Sequence, residues 1–352
     1  MSDWSKINEF CKVKALPASQ NTADELPARV KFITEWLDSM NMAYEVDQFT
    51  EEVETYSGGG FFSWFDKLLD DDESNDPDHD DVNDEDWDDG AWEDWEETML
   101  DDNTEEDNKP FSKDPDEKNE KKITENVERK RTPLQTRYAN FQQPKREKPE
   151  PKIVTKYYYN IMLKGTSDKM LCAHHDIVNP RSDNANDNSA SVINAIMAKK
   201  LRPDINVVIV DGEEIGGKGS KHAAQQVKDG EWGTIKWVLN LELTGSGGET
   251  FFISTTQKTS ALADSIKEIF KCPTVSAPFN DSYSFIAQGI DSVNINPLPT
   301  TETKTSTMHK GKYLQMDMLW NCHSMRDSLS TISPDDMKIF TEKVICPIVD
   351  DC

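Results

Sequence analysis

Apolar residues recur with two periods along this chain, and a long middle stretch has neither. In RVKFITEWLDSM (29–40), Val30, Ile33, Trp36 and Leu37 fall at helical spacing, which predicts an amphipathic helix. MAYEVDQF (42–49) alternates apolar and polar positions and predicts a strand. From residue 153 onward strands and helices alternate. KYYYNIMLKG (156–165) and KMLCAHHD (169–176) predict neighbouring strands, NSASVINAIMAKKL (188–201) a helix, and INVVIVDG (205–212) a buried strand. GSKHAAQQV predicts helix, KWVLNLEL (236–243) strand, SALADSIKEIF (260–270) helix and DSVNINPL (291–298) strand. A last helix opens at SPDD (333–336), with Ser333 as N-cap, Pro334 in the first helical position and acids in the first turn. This alternation predicts an α/β sandwich around a largely parallel sheet.

Residues 51–152 depart from both periods. After SGGGFFSWF (57–65), residues 70–107 hold 22 acidic and no basic residues, with Trp87, Trp92 and Trp95 among the carboxylates. Residues 109–152 are polar and Pro-rich, with 13 basic and 8 acidic residues. Too little apolar surface is present to offset the entropy of ordering, so most of the stretch is expected to be disordered. The predicted organisation is one domain of 250 residues, made of 1–50 and 153–352, interrupted by an insert at 51–152.

Charge sharpens this division. The chain has 66 Asp+Glu against 39 Lys+Arg, a formal net charge of −27. Residues 70–107 supply −22 of it, leaving 44 acids and 39 bases, or −5, on the other 314 residues. No nucleic-acid partner is expected, because phosphate contacts need clustered Lys and Arg. The acidic run instead favours a basic protein partner. MSDWSKINEFCKVKALPAS carries no apolar stretch of signal-peptide length, and VVIV (207–210) is far too short to span a bilayer. Six scattered cysteines (11, 172, 272, 322, 346, 352) form no CxxC pair, so reduced thiols and a cytoplasmic location are expected.

Metal-ligand residue types recur just after the predicted strands, the edge at which open α/β sheets bind ligands. His174-His175-Asp176 ends one strand, and Asn186-Asp187-Asn188 opens the next helix. Asp211-Gly212-Glu213-Glu214 follows another strand, and a third contains Asn240-Leu241-Glu242. Cys322-His323-Ser324-Met325-Arg326-Asp327 comes late in the chain. A lone His-x-Asp or Glu-Glu pair says little. The ordered set His, Asp, Glu-Glu, Glu, His is more specific, and five ligands with one shared carboxylate suit two zinc ions. Glu242 in an apolar strand needs a cation, a metal or a proton beside it.

AHHDIV, NDN, DGEEIGGKGS, NLEL and HSMRD resemble the motifs of the di-zinc aminopeptidase and glutamate carboxypeptidase family, the co-catalytic zinc exopeptidases of clan MH. The resemblance covers about 250 residues and leaves out the insert. It implies a three-layer sandwich, with a mixed, mostly parallel sheet flanked by helices. It also implies one zinc on His174, Asp187 and Glu242 and a second on Asp187, Glu214 and His323. Glu213 becomes the general base, and Asp176 orients His174. NDSYSF (280–285) resembles the family segment lining the substrate pocket, with Tyr283 a substrate-binding candidate. Three positions depart from the family. Glu242 stands where many relatives have Asp, Cys322 stands where they often have Tyr, and His175 is unusual between the ligand and Asp176, either a partly exposed spacer or a residue with a role of its own. His309, in TMHKGKY, is a rival for the last ligand; His323 is preferred because Asp327 follows four residues later.

The reading is a zinc-dependent exopeptidase, most simply an aminopeptidase, that hydrolyses a terminal peptide bond with activated water. Its rivals are a single-zinc acyltransferase like glutaminyl cyclase, and a non-catalytic binding protein acting through the insert. Retention of His174 and Glu242 argues against the first, and an intact ligand set against the second.

Overall fold

The computed structural model describes residues 3–13, 17–55, 152–275, 279–297 and 321–352. The acidic run and His309 lie outside the described residues. The chain divides into two units, Met1–Glu54 with Ile153–Cys352 as one and Thr55–Lys152 as the other. The sheet and the candidate ligands belong to the first.

Among the described residues seven strands form one sheet: β1 (Glu45–Thr55), β2 (Lys152–Leu163), β3 (Lys169–His174), β4 (Asn206–Val210), β5 (Trp237–Leu241), β6 (Phe251–Ser254) and β7 (Asp291–Pro297). Their spatial order is β1-β2-β4-β3-β5-β7-β6. β4, β3, β5 and β7 run parallel, while β2 and β6 lie antiparallel to β4 and β7. The fold is a mixed sheet with helices on both faces.

Strand periodicity explains the two helical layers, since successive side chains point to opposite faces. In β4, Val207 and Ile209 join the core that contains Ile193 and Ile196 of helix Ala190–Leu201. Val208 and Val210 join a second core with Ala223, Ala224 and Val227 of helix Lys218–Lys228. Helix Ala28–Ser39 buries Val30, Ile33 and Leu37 in the first core, as the chain's last helices do with Met337, Phe340 and Val344. Each such side chain contributes roughly 1.5–3 kcal/mol by leaving water.

The connections place a crevice at β3. From β3 the chain passes through helix Ala190–Leu201 to β4 on one side. From β4 it passes through helix Lys218–Lys228 to β5 on the other side of β3. Such a reversal opens a cleft beyond the carboxyl ends of the strands. Here those ends are His174, the 211–214 loop and Glu242.

Several expectations shift in detail. β1 continues to Thr55, into the expected insert, where Glu51 pairs with Lys218 at 2.8 Å. Tertiary pairing in the sheet overrides the acidic composition there. β5 ends at Leu241, so Glu242 follows the strand rather than lying within it. β6 and helix Ser282–Ala287 were not predicted, being only four and six residues long. Ser333 does cap its helix, accepting from the Asp336 amide at 3.2 Å. Among the described residues no helix is long and apolar enough to cross a membrane.

Candidate metal centre

The five candidate ligands converge from five separate segments. His174 closes β3, with its Nε2 3.3 Å from Asp187 Oδ1 and 3.7 Å from Glu242 Oε2. His323 Nε2 lies 3.2 Å from Asp187 Oδ2 and 3.0 Å from Glu214 Oε2. The two oxygens of Asp187 thus face different imidazoles. Ligand atoms of His174, Asp187 and Glu214 lie within 4.8 Å of one another. Asp187 sits in a wide turn, Ala185–Ser189, where its own backbone leaves helical geometry (φ −110°, ψ 91°). His323 has a left-handed backbone (φ 59°), uncommon for a residue with a Cβ and often found at functional sites.

Two further carboxylates hold the loops. Asp176 accepts the backbone N–H groups of Glu213 and Glu214, at 3.1 and 3.2 Å, through its two oxygens. Its Oδ1 also lies 3.3 Å from His174 Nδ1. Asp327 accepts the N–H groups of Asn186 and Asp187 in the same two-handed way, at 2.7 and 3.0 Å. Asn188 completes the frame by donating to the Leu241 carbonyl at 3.0 Å and accepting from the Leu243 amide at 3.3 Å. Each clamp ties one ligand-bearing segment to another.

Burial governs the electrostatics. It pushes Glu213 well above the ordinary carboxylate range, with Glu214, Asp281 and Glu242 adding to the rise and His174 opposing it. Glu214 rises to about 7 through burial and the Asp187 charge. His323 moves up to about 11 because Asp187 and Glu214 accept its hydrogen bonds. Burial likewise lifts Asp327 to about 6.

The remaining positions sort themselves by contact. His175 is not an exposed spacer: it is buried, and its Nε2–H donates to the Tyr159 carbonyl at 2.8 Å. Burial lowers it to about 4, so it braces β2 as a neutral imidazole. Burial and the Asp187 charge raise the Cys322 thiol well above its usual range. Tyr283 stacks on Phe279 with ring centroids 5.5 Å apart, and Phe279 in turn faces Gly217. Asp281 went unnoticed in the sequence. It is fully buried, and burial lifts it to about 7, the His174 charge opposing and the Glu242 charge adding. A buried Asp beside Asn and Ser in NDSYSF reads as ordinary turn chemistry, so no sequence signal marked it.

The residues fit a divalent metal. Two imidazoles and three carboxylates are the donor types zinc takes. Glu214 Oε1 is buried without a hydrogen-bond partner, a costly arrangement for a carboxylate unless a cation sits beside it.

Comparison with known proteins agrees. The family model for peptidase family M28 matches residues 160–346, which is 187 of the 352 residues. Among curated proteins no sequence match is found. An aminopeptidase from Aneurinibacillus sp. strain AM-1 superposes with TM-score 0.55 at 13% identity, over 99% of this chain and 92% of that one. Porphyromonas gingivalis glutaminyl cyclase gives 0.52 at 14% identity, over 100% and 98%. BSAP, a zinc aminopeptidase from Bacillus subtilis, gives 0.44 at 19% identity, over 58% and 53%, so the chain spans about half the length of that relative. With the family model covering more than half of its length, this chain belongs to peptidase family M28.

Proposed function

We propose that the protein is a di-zinc aminopeptidase. The observation that carries this reading is the divided Asp187 carboxylate, with one oxygen toward His174 and the other toward His323. His174, Asp187 and Glu242 would hold one zinc, and Asp187, Glu214 and His323 the other. When bound, the pair supplies Lewis acidity for the scissile carbonyl and lowers the pKa of water towards neutrality.

The chain's own residues do the rest. Glu213 accepts a proton from the attacking water on its carboxylate oxygen and hands it to the leaving amine nitrogen. Asp176 fixes where that carboxylate starts, because it grips the Glu213 amide and its neighbour together. Seven carboxylates surround the cleft: Asp176, Asp187, Glu213, Glu214, Glu242, Asp281 and Asp327. Among the described residues the buried Arg29, held by Ser189 at 2.7 Å, is a cation beside Asp176, Asp187 and Asp327. Two zinc ions would bring +4 and Arg29 +1 against −7 from the ionised carboxylates, and the remaining −2 favours a substrate's cationic α-amine over a free C-terminal carboxylate, which supports aminopeptidase over carboxypeptidase action.

Zinc analysis combined with a screen of aminoacyl and dipeptide substrates tests this reading. Two zinc ions per chain and release of N-terminal residues are expected. One zinc with cyclisation of N-terminal glutamine would establish the glutaminyl-cyclase reading instead.

A further inference from the structure

Three buried asparagines outside the ligand set join the two ends of Glu242. Glu242 Oε1 accepts from Asn240 Nδ2 at 3.2 Å. The same nitrogen donates to Asn294 Oδ1 at 3.0 Å, and Asn294 Nδ2 donates to Asn296 Oδ1 at 2.6 Å. Asn296 Nδ2 then donates to the carbonyl oxygen of Glu242 at 3.2 Å. The circuit leaves the carboxylate and returns to the backbone of the same residue.

Strand register builds it. Asn240 and Asn294 are partners across β5 and β7, and residues two apart share a face, which brings Glu242 and Asn296 to the same side. The Glu242 amide extends the ladder by donating to the Ile295 carbonyl at 3.2 Å.

The direction of every link follows from the carboxylate. An ionised carboxylate only accepts, so Asn240 must turn its NH2 toward Glu242. Asn294 then presents its oxygen to that NH2 and its nitrogen to Asn296, which is left with its own nitrogen for the carbonyl. Asn240 Oδ1 is buried without a partner, so its amide keeps this orientation although its acceptor goes unused. A glutamate arm has one more rotatable bond than an aspartate arm, and here both of its ends are fixed.

We propose that Asn240, Asn294 and Asn296 are positioning residues that hold the Glu242 arm with Oε2 facing His174, at 3.7 Å from its Nε2. This rests on Glu242 being a zinc ligand, as in the function proposed above.

Zinc affinity on folded protein, measured by chelator competition, tests it without reliance on turnover. Glu242→Gln, Asn240→Ala and Asn240→Ser are compared with the parent chain, with near-UV circular dichroism reporting the fold. Outer-sphere partners of metal ligands typically account for 10–100-fold in affinity. Asn240→Ala should weaken one zinc by about that factor and leave the other unchanged, and Glu242→Gln should weaken the same zinc. Asn240→Ser, which keeps a donor, should recover part of the loss. If Glu242→Gln weakens one zinc and Asn240→Ala weakens neither, the positioning role is overturned while the ligand reading stands. If Glu242→Gln weakens neither, the ligand reading itself fails. Should Asn240→Ala not fold, Asn296→Ser removes the link to the Glu242 carbonyl and the acceptor for Asn294, leaves the Asn240 bond to the carboxylate in place, and must still weaken the same zinc; an unchanged affinity in that variant overturns the proposal.

Discussion

At the scale of single residues, we propose separable tasks for the neighbours Glu213 and Glu214. Glu214 points at His323, while Glu213 is set by the same Asp176 clamp but makes no ion pair with either imidazole among the described residues. Glu213→Gln should keep both zincs and lose turnover by a factor on the order of 10²–10⁴. Glu214→Gln should weaken one zinc, because a neutral amide poorly replaces an anionic ligand. Zinc content and kcat measured on both variants separate the roles, and equal zinc loss in the two would reject the assignment. A pH dependence follows from His323. Its imidazole is held protonated up to about 11 in the metal-free protein, yet a zinc ligand must be deprotonated. Binding therefore releases that proton, and apparent zinc affinity should rise with pH, about tenfold per unit for each proton displaced. Competition with a chelator at several pH values between 6 and 8 reads the slope, after correction for the chelator's own protonation.

At the scale of elements, the loop after β4 is pressed tightly against its helix. Gly219 donates to the Asp211 carbonyl at 2.7 Å, and its own carbonyl accepts from Asn160 at 3.0 Å. A Cβ at Gly219 would overlap the Asp211 backbone and Asn160 Oδ1. Gly219→Ala should therefore destabilise the fold by about 1–3 kcal/mol and weaken the zinc held by Glu214. Urea unfolding and zinc titration of that variant check both effects. The sequence discloses one kind of information here and withholds another. Apolar runs and caps mark the strands and helices because they are local, and ligand types cluster legibly where those runs end. The clamps do not show, since Asp327 meets Asn186 across 141 positions and Asn240 meets Asn294 across 54. Asn, Ser and Asp read as turn formers until the partner is known, which is why Asp281, the asparagine circuit and the burial of His175 stayed hidden.

At the scale of the molecule, β1 and β2 are neighbours in the sheet although about a hundred residues separate them in the chain. Closure entropy grows only slowly with loop length. Replacing 56–151 with a short Gly/Ser linker should thus leave a folded, zinc-binding protein, and aggregation or metal loss would show that the replaced residues support the core. For residues 70–107 we propose a basic protein partner held by charge. With 22 carboxylates in 38 residues, attraction to a polycation should fall steeply with salt, because screening at physiological ionic strength acts within about 8 Å. Equal affinity with and without this run would dismiss the idea.

The split sheet also bears on how the protein is made. Helix Ala28–Ser39 and β1 leave the ribosome well before β2, and before Ile193 and Ile196, which share their core. At about 5–20 residues per second, synthesis of the intervening chain takes on the order of ten seconds. Throughout that interval Val30, Ile33, Trp36 and Leu37 have no sheet to cover, so the nascent N-terminal segment presents an apolar stripe to whatever surrounds it. Those seconds are when a chaperone would find it.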